Sequence, residues 1–236
     1  MTIDLEAALL RTGAVRDFTA EPVSDAALSR LLDVARFAPS GGNRQGWRVV
    51  VLKDPATRRA LRDLYLPGWY EYLAQGAAGL VAFSPLNDPD EERAAITNAP
   101  AFAEAAAQSG GGFAEHLDSA PVLLAVFARL GDLAATDRDL DRYHLVGGAS
   151  IYPFVWSLLL AARLEGLGGV MTTMATRAEP QVAALLGATD EHALAAVVAL
   201  GHPAHRPGRL RRAPVEEFTT IDRLGGAPLR PPDAGR

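Results

Sequence analysis

Apolar residues recur along the chain at two spacings, and these divide it into helices and strands. Leu5, Leu9 and Leu10 share one face of a first helix from about Asp4 to Arg11. Ser24 stands as an N-cap before a second, with Val23 and Leu28 placed for a hydrophobic staple and Leu31, Leu32 and Ala35 continuing the period. Pro39 to Asn43 break that helix as a loop. A short β-rich run from Trp47 to Leu52 follows and stops at Lys53-Asp54-Pro55, with a helix from about Ala56 to Tyr65 beyond it. Pro121–Phe127, Gly168–Thr173 and Ala193–Leu200 predict further strands, and Pro180–Leu186 a short helix. Leu145 to Leu164 predicts a long central helix, because nothing charged occurs before Arg163.

Between these elements the pattern weakens. Leu66 to Gly112 is the least regular stretch, with Pro67, Pro85, Pro89, Pro100 and a triple glycine at Gly110–Gly112. A long, weakly patterned insertion predicts a lid or binding loop over residues 66–112. The tail after Gly201 is rich in arginine and proline, so residues 206–236 are expected to form an arm across a surface. No repeat and no linker divides the chain, which is read as one domain over residues 1–236. Strands alternating with helices predict α/β or α+β.

Composition narrows the function. The 236 residues are 49% hydrophobic and 22% charged, which rules out general disorder. A net charge of −5 has the wrong sign for a nucleic-acid binder. The absence of cysteine removes thiol nucleophiles, disulfides, cysteine zinc sites and thiolate-ligated clusters. No basic segment followed by an apolar run opens the chain, which points to the cytoplasm. The uncharged run from Leu145 to Ala162 reaches the minimum length of a membrane span. Gly147, Gly148, Ser150, Pro153 and Ser157 within it, and Arg163 and Glu165 after it, favour a buried core helix and no membrane partner.

Several motifs fail on context. Gly166, Gly168 and Gly169 resemble part of a dinucleotide fingerprint, but they follow a helix and precede a strand, the reverse of the Rossmann order. Gly148-Ala149-Ser150-Ile151-Tyr152 half-matches a nucleophile elbow without its second glycine or leading strand, which disfavours a serine hydrolase using Ser150. His202 and His205 lack a nearby carboxylate, so no metal is expected. What remains is a set of anion-binding groups. Arg11 and Arg16 bracket Thr12 and Gly13, and Arg209, Arg211 and Arg212 cluster near the C-terminus. Guanidinium forks and backbone N–H groups at small residues suit a phosphate. Ser40, Gly41, Asn43 and Gln45 offer donors and acceptors to a heterocycle or a polyhydroxyl chain. Taken alone, the same residues fit a solvated surface.

In order, however, the motifs resemble the nitroreductase family of flavoproteins. Arg11-Thr12-Gly13-Ala14-Val15-Arg16-Asp17-Phe18, Glu21-Pro22-Val23-Ser24 and Ala38-Pro39-Ser40-Gly41-Gly42-Asn43-Arg44-Gln45-Gly46-Trp47 are similar to its N-terminal signature. Leu158–Arg163 and Gly166–Val170 are similar to its central helix and flavin-facing strand, and Arg211–Glu216 to its C-terminal phosphate arm. The resemblance implies an α+β fold, a mostly antiparallel sheet flanked by helices, in an intertwined homodimer with FMN at the interface. It assigns Arg11, Thr12, Gly13, Arg16, Arg211 and Arg212 to the phosphate and ribityl chain. Pro39, Ser40, Gly41, Asn43 and Gln45 fall in the loop reaching the flavin from the partner subunit, and Gly168 and Gly169 lie where backbone approaches the ring. The chain departs from the family pattern at Ala14 and Gly46, and Gly112–Asp118 has no lysine.

The implied activity is transfer of hydride from NADH or NADPH through FMN to a small electron acceptor, such as a nitroaromatic or quinone. Chemistry would centre on flavin N5, so no catalytic acid or base is assigned. Alternatives are a flavoenzyme dedicated to one substrate (a deazaflavin, a flavin or a halogenated aromatic) and a flavin-binding module without turnover. Trp69, Tyr70 and Tyr72 are expected at the acceptor. Helical spacing spreads adjacent residues by roughly 100°, so one core face cannot bury all three, and at least one is expected to cover the flavin.

Overall fold

Two strands of this chain are apolar on both faces, which places them between two layers of helices. The computed structural model describes residues 4–206 and 208–230. The opening residues 1–3 and the end of the expected arm, 231–236, lie outside the described residues. Four strands, β1 (Trp47–Val51), β2 (Val122–Arg129), β3 (Gly168–Thr172) and β4 (His192–Gly201), form one antiparallel sheet in the order β1-β2-β4-β3. Side chains alternate across it. Leu124, Val126, Val198 and Leu200 face one core and Leu123, Ala125, Val197 and Ala199 the other. The α+β expectation holds.

The first core is closed by α2 (Asp25–Ala35) and α6 (Tyr152–Ala162), with Leu28, Leu31, Phe154, Val155 and Leu158 buried in it. Ser24 caps α2 as expected, its Oγ accepting from Ala27 N–H at 3.2 Å. The second core is closed by α3 (Pro55–Ala77) and α7 (Glu179–Leu186), through Leu61, Tyr65 and Val182. A short first helix, α1 (Leu5–Arg11), buries only Ala8, and Leu5 is 69% exposed. The tail returns along the N-terminal segment. Thr19 N–H donates to His202 C=O at 2.8 Å and Leu210 N–H to Leu10 C=O at 3.0 Å. Its described part carries a single helical turn, α8 (Val215–Phe218).

Two expectations are corrected. The stretch 66–112 is mostly helical: α3 runs on to Ala77, and α4 (Pro89–Ile96) and α5 (Ala99–Ser109) follow it. Pro89 and Pro100 lie in the first turns of their helices, where a proline lacks only an N–H that has no helical partner. Pro67 does sit inside α3, and the helix continues through it because Leu61, Tyr65 and Gly68 are buried on either side. The long central helix is shorter than expected. Val146–Ser150 is a 3₁₀ segment, and α6 begins only at Tyr152 with Pro153 in its first turn. Among the described residues no helix is long and apolar enough to cross a membrane.

The loop between β2 and α6 is organised by one carboxylate. Asp137, 2% exposed, accepts from Leu145 N–H at 2.8 Å, Val146 N–H at 3.2 Å and Arg142 Nη1 at 2.9 Å. The Leu145 bond above all, against the opposing effect of burial and aided by Val146 and Arg142, holds its pKa at about 2. A pKa depressed on folding gives stability that is present above the unfolded value, near 4, and lost as pH falls towards 2. Thermal denaturation should therefore show Tm falling across that window. Asp137→Asn should lower Tm at pH 7 and make the acid fall shallower, and an unchanged fall would exclude Asp137 as its source.

Candidate active site

The exposed edge of β3 is where the chain gathers its unusual groups. Val15 N–H donates to Gly169 C=O at 2.9 Å, so the N-terminal segment runs along this edge. Arg16 follows immediately and lines a cleft of about 470 Å³ with Tyr65, Trp69, Phe102, Glu115 and Thr172. A second space of about 520 Å³ adjoins it through Arg16, Gly112 and Phe113 and takes in His116 and Ser119. Tyr65 Oη lies 3.2 Å from Thr172 Oγ1, tying α3 to the end of β3. Burial raises the Tyr65 pKa, against the Thr172 bond and the charge of Arg16.

The expected cofactor residues fall into four places. Arg11, Thr12, Gly13, Gly168 and Gly169 surround a closed recess of only about 10 Å³, with Arg163 Nη1 donating to Arg11 C=O at 3.2 Å. Arg16 opens into the large cleft instead, and Arg211 and Arg212 lie exposed on the tail just after its contact with Leu10. Among the described residues Arg11, Arg16, Arg211 and Arg212 have no carboxylate partner.

Pro39, Ser40, Gly41, Asn43 and Gln45 lie before β1, on the opposite edge of the sheet from β3. Three inter-strand spacings put the two edges roughly 14 Å apart. The loop is held rigidly. Ser150 Oγ accepts from Gly41 N–H at 3.0 Å and Ser40 Oγ from Gln45 N–H at 3.0 Å. Asn43 (φ 54°) and Gln45 (φ 53°) adopt the left-handed region, which costs a non-glycine residue of order 1–3 kcal/mol.

The aromatic trio separates as helical spacing requires. Trp69 lines the cleft, Tyr72 is 41% exposed and stacks on Trp69 at 5.4 Å, and Tyr70 is half-buried near Glu115. Tyr65, Phe102, Glu115 and Thr172 were not singled out from the sequence. The triple glycine beside Glu115 was the available signal.

The two glycines of β3 have a structural reason of their own. A Cβ on Gly169 would stand 2.4 Å from both Ala199 O and Leu200 Cδ2, and one on Gly168 would stand 2.8 Å from Val15 Cγ2. The space before each is filled by protein. Gly169→Ala should therefore destabilise by about 1–3 kcal/mol, at roughly 2–4 °C of Tm per kcal/mol. Gly131→Ala, which meets nothing within 4 Å, is the control expected to leave Tm nearly unchanged.

With this geometry in place, known proteins can be compared. The family model described as "Nitroreductase family" matches residues 11–202. A protein named NADH dehydrogenase from Thermus thermophilus is 30% identical over 214 residues, covering 91% of this chain and 94% of its own. A 5,6-dimethylbenzimidazole synthase from Rhodospirillum rubrum is 29% identical over 227 residues, covering 92% and 86%. The solved FMN- and NADPH-dependent nitroreductase NfnB from Sphigopyxis sp. strain HMH shares the fold at a TM-score of 0.62 and 24% identity, covering 93% and 99%.

Proposed function

The chain belongs to the nitroreductase family, and from that premise we propose an FMN-dependent oxidoreductase passing reducing equivalents from NADH or NADPH to an electron-poor aromatic or quinone. The observation that carries this reading is the cleft at the edge of β3. It joins an arginine that has no carboxylate partner among the described residues to a wall of aromatic rings, Tyr65, Trp69, Phe102 and Phe113. An anionic tail and a planar heterocycle fit that combination. When bound, FMN supplies redox chemistry between a reduced nicotinamide and an acceptor. The chain's own groups bind and orient it. Arg16 holds the phosphate in the cleft, and Arg11, Arg211 and Arg212 lie apart from it along the N-terminal segment and tail. Tyr65 and Trp69 exclude water, and Trp69 covers the acceptor side.

The other half of the site comes from a second copy of the chain. Leu5, Val34, Phe37, Leu160 and Leu164 line an apolar groove of about 350 Å³, and Phe37 is 75% exposed. The chain exposes 14339 Å², against about 10,000 Å² for a compact monomer of its mass. That excess is larger than one partner's share of an obligate interface, about 1,000–2,500 Å², so the surface for one is present. Pro39 lines the same groove, so a partner seated there lies beside the rigid Ser40–Gln45 loop. A homodimer would bring that loop to the partner's cleft, across the distance one chain cannot span.

A flavoenzyme with one dedicated substrate is the second reading. The similarity to a 5,6-dimethylbenzimidazole synthase and the helical cover of α3 and α5 over the cleft favour it. Purified protein should be yellow, lose its colour on adding NADH or NADPH, and sediment at about twice 25.0 kDa. FMN that binds without bleaching would leave a binding module only. Arg16→Ala should lose about ten- to a hundredfold in FMN affinity, as expected for charge-assisted bonds. Stoichiometric FMN retained at dilution would sink that assignment.

A further inference from the structure

The triple glycine that interrupts the chain after α5 is folded around one side chain. Gly110 ends the helix at φ 83°. Gly111 (φ 73°) leaves the space that Glu115 fills, since a Cβ there would stand 2.6 Å from Glu115 Cβ and Cγ. Gly112 N–H donates to Glu115 Oε2 at 2.7 Å. Gly111 and Gly112 thus hold one carboxylate at the wall of the cleft. Burial, and then the neighbouring Glu115 charge, raise the Tyr70 hydroxyl's pKa, so Tyr70 stands beside the carboxylate as a neutral phenol.

No cation pairs with Glu115 among the described residues. Arg16 lines the same cleft without forming an ion pair to it. Elsewhere the cleft is lined mostly by apolar side chains, Trp69, Leu73, Phe102, Ala105 and Ala106 among them. Glu115 is half-exposed, and a carboxylate without a cation beside aromatic faces suits a positively charged ligand.

We infer that the cleft is built for a planar aromatic acceptor that carries a positively charged nitrogen, with the Glu115 carboxylate as its counter-ion. The inference rests on the oxidoreductase reading and deepens it. Arg16 serves the anionic cofactor on the β3 side, and Glu115 serves the acceptor on the helical side. Carboxylate-bearing aromatics are excluded by the same charge.

The test is calorimetric titration of the FMN-loaded dimer with 4-nitrobenzylamine, 4-nitrobenzyl alcohol and 4-nitrobenzoate, whose one-carbon substituents opposite the nitro group are positive, neutral and negative. The wild type should bind the amine about ten- to a hundredfold more tightly than the alcohol, as one charge-assisted bond predicts, and the carboxylate most weakly. Glu115→Gln keeps an acceptor for Gly112 N–H and should bring the amine-to-alcohol ratio close to one. Glu115→Lys should invert the order. A structural role alone would weaken all three probes equally, and equal affinities with FMN bound would overturn this inference while leaving the oxidoreductase reading intact. Protein that takes up no FMN would overturn both.

Discussion

One constraint governs the arrangement: β2 has no solvent face. Val122 to Ala128 are all buried, alternating between a core under α2 and α6 and a core under α3 and α7. A slip of one residue would exchange the two sets, and neither layer of helices would fit the side chains it received. β4 is bound by the same rule through Val197 to Leu200. With the two central strands fixed, β1 and β3 form the two edges of the sheet, on opposite sides of it. On the proposed reading, the groups assigned to the flavin are divided between those edges, and the proposed dimer would bring the two sets together.

Most of the frame could be read from the residues because its signals are local. Strands buried on both faces are continuous apolar runs, and Ser24 announces the helix it caps. What escaped depends on tertiary context. Pro89 and Pro100 look like interruptions until their positions in the first helical turn are known. Pro67 is tolerated because α3 is held on both sides of it, which no window of sequence reports. The start of α6 moved because Asp137 holds the Leu145 and Val146 N–H groups outside the helix. The site was legible in part. The arginines and the Ser40–Gln45 loop were visible as chemistry, whereas Tyr65, Phe102 and Thr172 become site residues only when α3, α5 and β3 converge.

The cover of the cleft bears on how it selects. A mobile lid discriminates by closing over the right ligand, and a fixed wall discriminates by the groups it already presents. Here the α3 side of the wall is tied down. Arg177 donates to Glu71 Oε2 through Nε at 3.1 Å and Nη2 at 3.0 Å, clamping the second half of α3 to the segment after β3. Its guanidinium also lies 4.9 Å from the Phe83 ring, and Phe83 N–H donates to the buried Gln75 Oε1 at 2.8 Å. Such preorganisation means that little side-chain freedom remains to be lost on binding. On the proposed reading, selectivity then falls to charge and shape at the wall, where, among the described residues, Glu115 is the one acidic side chain lining the cleft.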